Sequence, residues 1–207
     1  MICVITADII NSTKIGAESR DELVKILQRI EVSLQKISQV RIEMYRGDSF
    51  QVLIPDAGKG MVCALLIRAG LMAFAPEGEM WDARLSLGIG SVSYENDRIT
   101  MSDGEAYRLS GRSFDGIGKK RLSVATPSEM INQELALSCA FADDIICGWS
   151  KKQADLIFKV LLDNLSRKEI ATMNGTSVQN IGKTLRKAKE YLVIMFLDRY
   201  ETLINQQ

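Results

Sequence analysis

The chain has 207 residues, 46% hydrophobic and 25% charged, with 26 Lys/Arg balanced by 26 Asp/Glu. That composition excludes a long disordered or low-complexity protein, because it supplies enough apolar surface for one large core or two small ones. Histidine is absent from the sequence, which removes every mechanism that needs imidazole, from catalytic triads to His-based zinc sites.

The four cysteines, Cys3, Cys63, Cys139 and Cys147, share no short spacing. Buried reduced thiols are expected rather than a zinc knot. The first eight residues lack a basic leader, and the longest apolar stretch, 61–75, is interrupted by Arg68. A cytoplasmic protein without a membrane span is expected.

In chain order, a β-branched run over 2–7 predicts a buried central strand. Leu23, Ile26, Leu27, Ile30, Leu34 and Ile37 recur at helical spacing and predict a helix over 18–37. Strands over 41–46 and 49–54 flank Gly47-Asp48, which reads as a hairpin turn. An apolar helix over 58–75 and a strand over 84–94 complete the order βαββαβ, a ferredoxin-like unit. Further strand and helix signals follow at 122–125 and 128–137. Residues 1–149 carry 16 Lys/Arg against 20 Asp/Glu, whereas 150–207 carry 10 against 6. Such asymmetry, with a Gly/Ser joint at 147–150, predicts two domains, 1–149 and 150–207.

In a ferredoxin-like sheet the first strand lies antiparallel to the third, so Asp8 at its carboxyl end meets the turn carrying Asp48. Two such carboxylates suit Mg²⁺, which is held by one or two carboxylates plus phosphate oxygens. A strand end and an ordinary Gly-Asp turn account for the same two residues. The glycines and lysines of 115–120 lack the spacing and the Ser/Thr of a phosphate loop and read as a solvated turn; the basic run Lys119-Lys120-Arg121 is an alternative phosphate contact.

Four blocks form a set: Asp8-Ile9-Ile10-Asn11-Ser12, Arg46-Gly47-Asp48-Ser49-Phe50-Gln51, Arg84-Leu85-Ser86-Leu87-Gly88-Ile89-Gly90, and 103–112. They resemble the bacterial SatD family over nearly the whole chain and, more distantly, the catalytic fold of class III nucleotide cyclases. The cyclase resemblance implies that Asp8 and Asp48 bind two metal ions, Mg²⁺ or Mn²⁺, and that the backbone of Ile9 and Ile10 faces phosphates. It also places Arg112 on the cyclase arginine, with Arg108 where an asparagine belongs and Met44 where a base-reading lysine belongs. A nucleotide held without cyclisation is what these departures imply, since arginine retains a bidentate grip on phosphate.

In the second half, Leu156, Ile157, Val160, Leu161 and Leu165 mark one helix face. Glu169-Ile170-Ala171, Gly175 and Ser177 follow, with Ile181, Leu185, Ala188 and Leu192 beyond. Glycine suits the turn between two helices and Ser177 suits the N-cap of the second. This spacing resembles the helix-turn-helix of sigma factors and response regulators. Gln179, Asn180, Lys183, Thr184, Arg186 and Lys187 fall on the outward face, where they would meet DNA bases and phosphates. Residues 191–197 are apolar all round and predict burial against a second copy or the first domain, a homodimer being the simpler choice. The expected protein is thus α+β: a ferredoxin-like, cyclase-like domain and an all-α helix-turn-helix domain with a long C-terminal helix. The expected function is a DNA-binding regulator that senses a nucleotide or metal; the alternative is a metal-dependent nucleotide cyclase or another nucleotide-phosphate enzyme.

Overall fold

β1 (Ile2–Ile9) is buried along most of its length, as its β-branched run requires. The computed structural model, which describes residues 1–206, pairs β1 antiparallel with a strand on either side. After it come α1 (Ala17–Leu34), the hairpin β2 (Arg41–Met44) and β3 (Ser49–Ile54), α2 (Gly60–Phe74) and β4 (Ala83–Gly90). Both the βαββαβ order and the sheet order β2-β3-β1-β4 are ferredoxin-like.

The strand expected over 84–94 does not run through. It stops at Gly90, and Ser91 turns its carbonyl to accept the amide of Ala106 (3.3 Å). β5 (Val92–Tyr94) then pairs with β6 (Asp103–Gly104) in a separate two-stranded ladder. α3 (Glu105–Asp115) lies across the sheet, and β7 (Leu122–Ala125) adds a fifth strand parallel to β4. The approach of α3 is very close: a Cβ on Gly88 would sit 2.1 Å from the carbonyl oxygen of Ala106. Only glycine fits there.

Alternation along β1 divides the core. Cys3, Ile5, Ala7 and Ile9 join the large cluster with α1 and α2, while Val4 joins Leu53, Ile99, Ala106 and Tyr107 beneath α3. The segment Ala57–Phe74 is long and apolar enough to cross a membrane by length and composition, yet it is mostly buried inside the protein. Each large side chain it buries stabilises the fold by roughly 1.5–3 kcal/mol. The interrupting Arg68 is fully buried, and its guanidinium bonds both Asp82 oxygens (2.8 and 2.7 Å) and Asp143 (2.7 Å).

α4 (Glu129–Cys147) and α5 (Lys151–Asp163) follow, joined at Gly148, Trp149 and Ser150. α6 (Arg167–Met173), α7 (Val178–Lys187) and α8 (Glu190–Asn205) complete the chain as far as it is described. The large apolar cluster continues from the sheet through α2 and α5 into Ile170, Ile181, Leu185 and Tyr200. Trp149 Nε1 donates to the carbonyl of Ala188 (2.9 Å), and the Tyr200 hydroxyl donates to that of Ala57 (3.0 Å). Lys189, at φ 59°, breaks the chain between α7 and α8. Within the single chain Val193 and Phe196 face the core, while Tyr191, Leu192, Ile194 and Met195 are exposed, so burial of 191–197 on every side would require a partner surface.

Candidate functional site

Two regions carry polar chemistry. The first is the end of the sheet where β1 finishes. In the β1 register Asp8 lies opposite Ser49 on one side and Arg84 on the other, which puts all three side chains on one face. Ser49 Oγ donates to Asp8 Oδ1 (3.2 Å), and Arg84 donates to Asp8 Oδ2 (2.8 Å). Asp48 sits at the adjoining turn, where Gly47 supplies φ 74°. Its carbonyl accepts the amide of Ile9 (3.0 Å) and its carboxylate accepts Ser12 Oγ (2.6 Å). The expected convergence of Asp8 and Asp48 at one sheet end is therefore present. Burial pushes the Tyr45 phenol above its ordinary value; Arg46 and the Ser49 hydrogen bond oppose this, and the charges of Asp8 and Asp48 add smaller upward pushes.

A cavity of about 460 Å³ opens beside Asp8, lined by Ile9, Ile10, Ser12, Arg84, Lys119 and Arg121 among others. Arg84 lies 5.7 Å from the ring centroid of Phe114, and Arg121 bonds Asp82 (3.0 Å). A smaller cavity on the Asp48 side is lined by Arg20 and Arg46. Cations thus outnumber carboxylates here, an arrangement suited to a phosphate-bearing anion.

The aspartates do not form a ready metal site. Among the described residues no group of three or more Cys, Asp or Glu is placed to hold a metal ion. Both Asp8 oxygens are engaged, one of them by a guanidinium that already supplies the positive charge. Mg²⁺ or Mn²⁺ would have to displace Arg84, so the donor set does not fit a preformed ion.

The phosphate-facing residues need correction. Ile9 and Ile10 line the cavity, but their amides are spent on the carbonyls of Asp48 (3.0 Å) and Asp82 (2.9 Å). Arg108 and Arg112 lie one turn apart on the exposed side of α3, because Ala106, Tyr107 and Ser110 take the sheet side. Arg108 pairs with Asp103 (2.9 Å). Neither arginine lines the cavity. Arg84, Lys119 and Arg121 line it instead, so the turn read as solvated is part of the cleft wall.

The second region is α6–α7. Gly175 adopts φ 58°, the Thr176 amide returns to the carbonyl of Ala171 (3.0 Å), and Ser177 Oγ accepts the amide of Asn180 (3.2 Å). Glu169 closes a capping box with Ser166 at the start of α6, and these two hydrogen bonds lower its pKa. Ile181, Gly182 and Leu185 face inward. Gln179, Asn180, Lys183, Arg186 and Lys187 are exposed as expected, and among the described residues the three cations have no carboxylate within ion-pair distance. Thr184 is only half-exposed, and its hydroxyl bonds back to the carbonyl of Asn180 (2.9 Å). That hydroxyl is committed to the helix rather than to a ligand.

No family model and no curated protein matches the chain. Among solved structures, the chain is similar to the active GGEEF domain of a diguanylate cyclase from Vibrio cholerae, at 16% identity and a TM-score of 0.44, covering 62% of this chain and 83% of that one. It is also similar to the adenylyl cyclase CyaB from P. aeruginosa, at 20% identity and a TM-score of 0.39, covering 56% and 71%. The fold assignment rests on the sheet order described above.

Proposed function

We propose that the chain is a SatD-like regulator that binds DNA through α7 and holds a phosphate-bearing ligand in the cleft beside Asp8. The observation that carries the first half is the solvent face of α7. An N-capped helix presents Gln179, Asn180, Lys183, Arg186 and Lys187 together, with its three cations unpaired among the described residues. Amides of Gln and Asn match adenine edges, and Arg or Lys matches guanine or phosphate. Phosphate contacts position such a helix and base contacts give it sequence preference.

The Asp8–Arg84 pair supports a ligand-holding cleft over a two-metal catalyst, because the carboxylate is already neutralised. The enzyme reading keeps one favourable observation, the meeting of Asp8 and Asp48 at one sheet end beside a cavity. Enrichment of genomic duplexes by the full chain, followed by fluorescence anisotropy over a salt series, tests the regulator. Enrichment of a defined set with steep salt dependence supports it. Failure to enrich any duplex at low salt, with turnover of a nucleoside triphosphate in the presence of Mn²⁺, moves the enzyme reading ahead.

A further inference from the structure

Two arginines of the cleft wall are paired with aspartates, and the two pairs are built differently. Asp8 lines the cavity itself, and Arg84 is the only cation it pairs with among the described residues. Asp82 is buried, at 5% exposure, and does not line the cavity. Its Oδ1 accepts Arg68 Nε and the Ala83 amide (both 2.8 Å), and its Oδ2 accepts Arg68 Nη2 (2.7 Å) and Arg121 Nη1 (3.0 Å). The backbone of Arg121 is pinned too: its amide donates to Asp143 Oδ2 (2.7 Å), while Asp143 Oδ1 accepts Arg68 Nη1 (2.7 Å). Arg68, Asp82, Arg121 and Asp143 therefore close a ring, of which only Arg121 lines the cleft.

We propose that Asp82, held by Arg68, is a positioning residue: it fixes the Arg121 guanidinium as a rigid fork for a tetrahedral phosphoryl group in the cleft. This role rests on the reading of the cleft as an anion site. Among the described residues Asp82 is the one partner of the Arg121 guanidinium, and it takes a single nitrogen. The remaining donors of the planar group are left for two oxygens of one ligand. A free arginine on a turn must give up rotamer freedom when it binds, and one already held has less to lose. Charge alone argues the other way. Deleting a carboxylate beside Arg121 should strengthen a purely Coulombic anion site. Position and charge thus make opposite demands on the same substitution. At Asp8, which faces the cavity, charge governs and its removal favours the anion. At Asp82, behind the wall, the lost support of the fork governs.

Calorimetry with tripolyphosphate, on the full chain without divalent ions, tests this. Asp82→Asn should weaken binding about fivefold to tenfold, even though it removes a negative charge. Arg121→Lys keeps the charge and loses the fork, and should weaken binding by a similar factor. Combined, the two should cost barely more than either alone, because Asp82 acts through Arg121. A merely structural loss at Asp82 would instead multiply with that of Arg121→Lys. Asp82→Asn disturbs the buried ring, so urea unfolding accompanies each titration. Arg68→Met/Asp82→Asn/Asp143→Asn supplies a second variant, in which Arg121 is the one charge left in the ring. It too should bind tripolyphosphate more weakly than the wild type. Unchanged or tighter binding by either folded variant overturns the proposal, as does a double variant whose losses multiply. A wild-type chain that binds no tripolyphosphate overturns the cleft reading itself, and the positioning role with it.

Discussion

Asp8 and Arg84 are cross-strand neighbours in the β1–β4 register, and their side chains meet at 2.8 Å beside a cavity open to solvent. The carboxylate holds one arginine of the cleft wall in place and cancels its charge. The pair therefore competes with any anion for Arg84 and with any cation for Asp8.

Replacing Asp8 with Asn separates these roles. With the guanidinium released, tripolyphosphate measured by calorimetry without divalent ions should bind a few-fold tighter, in keeping with a partly exposed pair worth about 0.5–1 kcal/mol. Arg84→Ala should weaken the same binding by about tenfold, the loss of a charge-assisted contact. If the Asn variant loses binding instead, Asp8 positions Arg84 for the anion rather than competing with it, and the competition is refuted.

Arg68 should be the most sensitive charge in the protein. Arg68→Met leaves buried Asp143 without a cation and Asp82 with Arg121 alone, a loss of about 3–5 kcal/mol. That is a large share of the ~5–15 kcal/mol available to an ordinary fold. Neutralising the two aspartates as well, in Arg68→Met/Asp82→Asn/Asp143→Asn, should recover much of it. Urea unfolding of the single and triple variants decides the matter; a single-variant loss under about 1 kcal/mol contradicts it.

Alkaline pH should destabilise the fold through its thiols. Burial pushes Cys63 and Cys139 from 9.0 up to about 12. In the unfolded chain both ionise from about pH 9, whereas in the folded chain they keep their protons until near 12. Their contribution is complete below pH 9 and is lost as pH rises towards 12. Urea midpoints should fall across this window, and Cys63→Ala/Cys139→Ala should show a shallower fall. A thiol reagent on the native protein at neutral pH should label Cys147 first, the one exposed thiol of the four.

Along α7, Lys183→Ala and Arg186→Ala should each lower the slope of log affinity against log salt by about one unit. Gln179→Ala should relax sequence preference and leave that slope unchanged. Ser177→Ala, which removes the N-cap, should cost about 1 kcal/mol of stability. Anisotropy over a salt series separates the first two effects, and thermal unfolding reads the third.

The sequence was most informative where a single pattern governs a single element. Helical periodicity located α1 and α2, and the βαββαβ order alone brought Asp8 to the turn of Asp48. Arg84 escaped because nothing in a strand's own residues says which neighbour lies opposite, and register decides that. The turn at 115–120 read as solvated for the same reason, with only the basic run 119–121 marked as a phosphate contact. It becomes a cleft wall only because β7 runs beside β4, where Leu85 donates to the carbonyl of Arg121 (2.9 Å). The break at Lys189 has no glycine or proline to announce it. A lysine in the left-handed region follows Ala188, whose carbonyl takes the Trp149 indole, so tertiary contact rather than local preference stops the helix there.

The bond from Trp149 to Ala188 and the bond from Tyr200 to Ala57 stitch the last four helices onto the layer that carries the sheet. The consequence concerns dissection. A fragment beginning at Ser150 would leave behind the α2 surface on which α5 rests and expose Leu156 and Ile157 to water. The α5–α8 segment is therefore no cassette to be moved to another protein: excised, it should aggregate or stay unfolded.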